Sequence, residues 1–348
     1  MESKVKMLEN LALGQDLPLD LLKQLEIEIL QDPDRSKVFE INQLNVSEAV
    51  QNRLNLLRSV YPDFLQCLET LKIDRASIET LWDLWLPLAL QLADLHRQLG
   101  RPVVQGILGS QGTGKTTLGL ILSLILRHLG YRCLSISIDD LYKTYADRMF
   151  LRSQDPRLIW RGPPGTHDID LGIEVLDRLK QGRSPVLIPR FDKSLHQGVG
   201  DRIAPESIEA ADIILFEGWF VGVRPIPVET FTTAPPPIIT TADRDFSIDM
   251  NTKLYDYLPL WSRLDRLIVL YIQDYTCSKR WRLEAEQKMA SIGKSAMTDL
   301  EVEQFVEYFW RSLHPELFLT PIIQNSELVD LVISIDANHL PNKVYKPN

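Results

Sequence analysis

The sequence predicts an α/β fold: a doubly wound, mostly parallel sheet flanked by helices, with a helical extension ahead of it. Three observations carry that expectation. Past Pro102, short β-rich runs alternate with helical segments, and several runs are apolar almost throughout, as strands buried on both faces of a parallel sheet must be. The first run leads at once into a glycine-rich turn and then a helical pattern. Before Arg101, apolar residues recur instead at three- and four-residue spacing, as in SEAVQNRLNLLRSVYPDFLQCLETLK and SIETLWDLWLPLALQLADLHRQLG, which is the pattern of packed helices. The chain accordingly divides into a helical extension over 1–100 and an α/β domain over 101–348.

In chain order the expected strands are VVQGILG, CLSISID, PVLIPRF, ADIILFEG, LIVLYIQ and LVISID. Within 221–264, the Pro- and Thr-rich TFTTAPPPIITTADRDF reads as an exposed insertion and MNTKLYDYLPLWSRLD as an amphipathic helix packed back on the core. In GPPGTHDIDLGIEVLDRLKQG, proline and glycine make a tight loop, Thr166 or Asp168 caps a helix, and Gly182 falls just past its end. Thr298 with Glu301 has the spacing of a capping box. No period of a solenoid repeats along the chain.

Of the 348 residues 45% are apolar and 24% charged, the balance of a folded globular chain. The net charge of −9 argues against non-specific nucleic-acid binding, so an anionic substrate requires a local cationic pocket. Cys67, Cys133 and Cys277 are far apart and show no metal-binding or redox spacing, as expected of free thiols in a reducing compartment. The first twenty residues hold no apolar signal core, and the run Leu118 to Leu126 is too short to span a bilayer. The expectation is a cytoplasmic protein with neither membrane nor nucleic-acid partner.

The run Gly109, Ser110, Gln111, Gly112, Thr113, Gly114, Lys115, Thr116 fits G-x-x-x-x-G-K-[ST] and lies between an apolar strand and the helical pattern that starts at Thr116 and Thr117. Glycines let consecutive amides converge on phosphate oxygens at a helix N-terminus, Lys115 reaches the β- and γ-phosphates, and the Thr116 hydroxyl belongs to a Mg²⁺ shell. A guanine-reading N-K-x-D is missing, since NTKL at Asn251 and NKVY at Asn342 do not fit, and so is LSGGQ; ATP is the expected nucleotide. Asp139 and Asp140, in SISIDDLYKTY, emerge beside this site, where either could take the proton of an attacking hydroxyl or simply cap the strand end. Glu217, in ILFEGW, is placed to hold Mg²⁺ directly or through water, with Trp219 as a wall.

The order strand, phosphate loop, helix, D-D-L-Y, P-R-F-D, F-E-G resembles the small P-loop kinases that include uridine kinase, pantothenate kinase and phosphoribulokinase. Within that group it resembles the plant-type D-glycerate 3-kinases, on SIDDLY (137–142), RGPPGTHD (161–168), PRFDKS (189–194), GVGDR (198–202), LFEGWFVG (215–222) and WRLEAEQKM (281–289). The resemblance covers the chain from about Pro102 onward and implies transfer of the ATP γ-phosphoryl group to the 3-hydroxyl of D-glycerate. It places His167 beside the acceptor and implies a basic lid over the nucleotide from Lys279, Arg280 and Arg282; Asp168 is a further substrate candidate that capping alone would explain, and Arg161 is open between a solvated charge and an anion ligand.

LIPRFDKSLHQGVGDR is then the expected acceptor loop. A carboxylate calls for a cation, for which Arg190 and Arg202 compete with Lys193, and a free hydroxyl calls for an acceptor such as Asp192. Related nucleoside kinases carry tyrosine where this chain has Phe191. The same charges could instead pair with one another. Competing readings are a kinase of another acceptor, such as a nucleoside, sugar phosphate or pantothenate, and a nucleotide-binding regulator without transferase activity.

Overall fold

A computed structural model describes residues 4–15, 18–73, 77–291 and 296–347. The strands in chain order are β1 (Val103–Gly109), β2 (Cys133–Ser137), β3 (Val186–Asp192), β4 (Asp201–Ile208), β5 (Ile213–Gly218), β6 (Arg266–Ile272), β7 (Leu331–Ile335) and β8 (Pro341–Tyr345). Six of them form one sheet in the order β2-β5-β1-β6-β7-β8. All neighbours are parallel except β7 and β8, and the antiparallel β8 sits at an edge, where its leading proline costs no ladder bond. The chain runs outward from β1 to β2, returns through β5, and crosses to β6 on the other side of β1. The carboxyl ends of β1, β2 and β5 therefore open on a common crevice.

Every residue of β1 is buried, so the sheet needs cover on both faces. Along β5, Ile213 and Leu215 join one apolar cluster while Ile214 and Phe216 join the other, the two-residue alternation of a pleated strand. The first cluster holds Ile121 and Ile125 of helix Lys115–His128 together with Leu57, Trp82 and Leu88 of the N-terminal helices. On the second face lie Leu176 of helix Ile169–Lys180, Met250 of helix Thr241–Lys253 and Phe309 of helix Asp299–Ser312. Asp168 caps the first of these helices through the Leu171 amide, and the Thr298–Glu301 capping box opens the last.

Two expectations need correction. PVLIPRF is not a strand of the main sheet: β3 pairs only with β4, as an antiparallel hairpin. Pro189 removes a donor that a central strand requires, and the register slips between Ile188 and Arg190. β4 is mostly exposed and polar, so no apolar pattern betrays it. The Pro- and Thr-rich stretch is only partly exposed, because Phe231 and Ile238 are buried, Phe231 against Phe318. The helix after it starts at Thr241, set by a capping box between Thr240 and Asp243.

Asp265 fastens the lower end of the sheet. Its carboxylate accepts from Arg101, from Lys180 at 2.9 Å and from the Val104 amide at 2.9 Å, joining the end of the N-terminal helices, the β1 strand and helix Ile169–Lys180. Burial pushes this carboxyl up, but Arg101 and Lys180 outweigh it and hold it below the usual carboxylate range. Asp265→Ala strands two cations and an amide, and we expect a loss of about 3 kcal/mol in urea unfolding. A change below about 1 kcal/mol contradicts this role.

Candidate active site

At the end of β1 the chain turns on Gly112 (φ 81°) and Gly114 (φ 87°), left-handed conformations open to glycine at little cost. A side chain at Gly109 would meet the Thr113 hydroxyl at 2.6 Å, so the loop closes tightly on itself. The Lys115 ammonium donates to the carbonyls of Gly109 at 2.7 Å and Ser110 at 2.9 Å. Burial lowers its affinity for its proton, and Glu217 and Asp139 oppose that. An anion on the loop competes with those carbonyls for the ammonium. The register of β5 sets Glu217 between Ile107 of β1 and Ser137 of β2, and the Thr116 hydroxyl donates to its carboxylate at 3.1 Å. A hydroxyl and a carboxylate converging this way form an all-oxygen donor pair, which suits a hard divalent cation that keeps its remaining waters.

The two adjacent acids part company on the turn after β2. Ile138–Leu141 is a short 3₁₀ turn capped from both sides: the Ser137 hydroxyl accepts from the Asp139 amide, and Asp140 accepts from the Ser137 amide at 3.0 Å. Asp140 also takes the Arg190 guanidinium at 3.1 Å, so it is occupied in structure. Burial raises its carboxyl, against the Ser137 amide and Arg190. Asp139 lines the large cavity and meets the Lys193 ammonium at 2.6 Å. Burial pushes the Asp139 carboxyl up, but Lys193 and the neighbouring Tyr142 hydroxyl reverse this and hold it below its ordinary value.

That cavity, about 820 Å³, joins Gln111, Gly112, Lys115 and Thr116 of the loop to Asp139, Glu217, Trp219, Arg161, Lys193 and Arg282. Arg148 and Arg152, four residues apart on helix Tyr145–Gln154, line it too, and sequence reasoning missed both. Six cations thus face two carboxylates in a chain of net charge −9. Arg148 is buried and donates to the carbonyls of Lys143, Val199 and Gly200, and Arg161 donates to those of Gly198 and Val199, so together they hold the Gly198–Gly200 turn. Both guanidinium groups also lie over the Phe191 ring, at 5.1 and 5.7 Å. Trp219 walls the cavity, its indole donating to the Gly162 carbonyl at 3.2 Å.

Other expected site residues lie elsewhere. Arg190 is taken by Asp140 and Glu206, and Arg202 by the Tyr142 carbonyl and Asp168. Asp168 is the helix cap, and Asp192 accepts from the amide and hydroxyl of Ser194 in a tight turn. His167 stands one layer behind, stacked on Tyr142 at 4.6 Å, its Nδ1 bonded to the Tyr257 hydroxyl at 2.7 Å. Burial pushes its pKa down to about 3, so it is neutral. On helix Cys277–Ser291, the expected lid, Arg282 lines the cavity while paired with Glu286, Lys279 pairs with Glu303, and Arg280 donates to the Ala337 carbonyl at 2.8 Å. Of the expected acceptor loop, Lys193, Gln197, Gly198 and Val199 line the cavity.

No family model matches the chain. It is 28% identical over 323 residues to the chloroplastic D-glycerate 3-kinase of Arabidopsis thaliana, which aligns 88% of this chain with 64% of that one, less than two thirds of the relative's length. It is 32% identical over 219 residues to the uncharacterized kinase mug58 of Schizosaccharomyces pombe, covering 60% of this chain and 79% of that protein. The solved structure of a D-glycerate 3-kinase from Cryptococcus neoformans matches with a TM-score of 0.64 and 26% identity over 74% of this chain and 96% of that one. No helix among the described residues is long and apolar enough to cross a membrane.

The Lys193–Asp139 pair yields a prediction with a definite sign. In Lys193→Met the burial of Asp139 is no longer opposed by the ammonium, so its carboxyl should titrate at higher pH than in the wild type, read from its ¹³C carboxyl shift. An unchanged midpoint contradicts the pairing.

Proposed function

The chain belongs to the family of P-loop small-molecule kinases that holds these relatives, and we propose that it transfers the γ-phosphoryl group of ATP, with Mg²⁺, to the 3-hydroxyl of D-glycerate, giving 3-phosphoglycerate. One observation carries the reading: a carboxylate kept ionised by a lysine shares a strongly cationic cavity with the phosphate-binding loop. A hydroxy acid and a nucleoside triphosphate are both anions, and the surplus of cations suits the pair of them. The names of the Arabidopsis and Cryptococcus proteins support glycerate as the acceptor.

In this reading Asp139 accepts the proton of the 3-hydroxyl as the oxygen attacks phosphorus in line, and the proton ends on its carboxylate. Lys193, beside Asp139, is the candidate to hold the acceptor carboxylate, with Arg161 as a second cation lining the same cavity. The loop amides and Lys115 hold the phosphates, while Arg282 covers them from the lid. Thr116 and Glu217 would hold Mg²⁺, which would neutralise phosphate charge. Asp140, Arg190 and Arg202 keep the turn and the acceptor loop in register instead of touching substrate.

Incubation with Mg-ATP and, separately, D-glycerate, L-glycerate, uridine and pantothenate tests the reading by ADP release and ³¹P NMR of the product. D-glycerate should stimulate release most, and its product should be the 3-phosphate. Faster turnover with uridine or pantothenate, or a 2-phosphate product, contradicts it.

A further inference from the structure

At the amino end of the main sheet, away from the crevice, lies a second cavity of about 610 Å³, within the size range of small-molecule sites. The sheet contributes Asp265 and Arg266 at the start of β6, Asp330 just before β7 and Lys346 just after β8. The segments before β1 supply the rest, with Arg53 on helix Val46–Leu71, Gln91 on helix Leu86–Leu99 and the stretch from Val38 to Ile41. Neither the transfer chemistry nor the family motifs in the sequence call on Arg53 or Gln91.

Two polar groups in this wall want a partner. Arg53 is only 2% exposed, yet its guanidinium makes no hydrogen bond and no ion pair among the described residues. It lies 5.9 Å from the ring of Phe39 and 5.9 Å from that of Trp82, in the π-helical turn Leu81–Trp85, the outer limit of a cation–π contact. Burial pushes its pKa down to about 10 against the pull of Asp83, a carboxylate already taken by Lys4 at 3.0 Å. A buried cation in that state calls for a counter-ion. Gln91 is fixed by its amide nitrogen, which donates to the Val38 carbonyl at 3.0 Å, and its buried side-chain oxygen finds no donor among the described residues. Glu40 and Glu48 also line the cavity without an ion pair among the described residues, so the wall disfavours a dianion such as phosphate.

We infer that this cavity is a second small-molecule site, which takes a monocarboxylate carrying a hydroxyl or ammonium group next to its carboxylate. The Arg53 guanidinium receives the carboxylate as a two-pronged fork, and the Gln91 oxygen accepts from the neighbouring group. A 2-hydroxy acid and an α-amino acid present the same pair of groups, and Phe39, Ile41, Leu90 and Leu95 give the remaining carbon chain an apolar lining. The inference is independent of the kinase reading. Its ligand joins the helices before β1 to the amino end of the sheet, and so stabilises their packing.

Isothermal titration of L-lactate, L-serine, L-leucine and inorganic phosphate, each separately, into wild-type protein, Arg53→Met and Asn52→Trp tests it. Asn52 lines the cavity from an exposed position, so tryptophan there fills the space and leaves Arg53 in place. At least one of the three organic acids should bind the wild type with a Kd of about 1 mM or tighter, and both variants should weaken it by about tenfold or more. Lactate alone identifies a hydroxy acid as the ligand class, and serine or leucine alone an amino acid. The inference is overturned if no organic acid binds in a manner that depends on Arg53, or if phosphate binds that site more tightly than they do. Urea unfolding without added acid supplies a second readout: Arg53→Met should unfold at a midpoint no lower than the wild type, because methionine keeps the apolar stem and removes an unpaired charge. A lower midpoint makes Arg53 a structural residue and overturns the inference.

Discussion

A strand buried at all seven positions dictates most of this architecture. Because β1 exposes nothing on either face, the sheet must be covered twice, and the chain uses its N-terminal helices with the loop helix for one cover and the helices after β2 for the other. At the carboxyl ends, the loop after β1, the turn after β2 and the Glu217 end of β5 meet in one crevice.

Within that crevice, neighbouring residues of the same type do different work because of what they bond. Asp139 and Asp140 are adjacent, yet the cap on Ser137 and the Arg190 guanidinium consume one, while Lys193 keeps the other ionised at the cavity wall. Arg190 and Arg202 tie the β3–β4 hairpin to Asp140, the Tyr142 carbonyl and Asp168, and Arg148 and Arg161 hold its Gly198–Gly200 turn. The loop's cations are thus paired with carboxylates outside it, Asp140, Glu206, Asp168 and Asp139, and of these cations Lys193 lines the cavity.

Much of this was legible in the residues. The six apolar runs, the phosphate loop, the Asp168 cap and the Thr298–Glu301 box all depend on local pattern, and local pattern is what a sequence displays. What escaped depends on distant pairing. Nothing local separates an arginine that binds a substrate from Arg190, whose partners lie 50 and 16 residues away. Arg148 and Arg152 look like solvated charges until the helix that bears them is docked at the crevice. β3 has the composition of a sheet strand, and only Pro189 hints that it stands outside. The π-turn at Leu81–Trp85 leaves no mark in the helical spacing around it.

The central claim is that Asp139, set free by the turn that occupies Asp140, carries out the proton transfer. Asp139→Asn keeps the shape and removes the base, so single-turnover transfer from ATP to D-glycerate, measured beside ADP affinity, tests it most directly. The account predicts a rate at least about 100-fold lower with ADP affinity within about twofold of wild type. Transfer at the wild-type rate would contradict it.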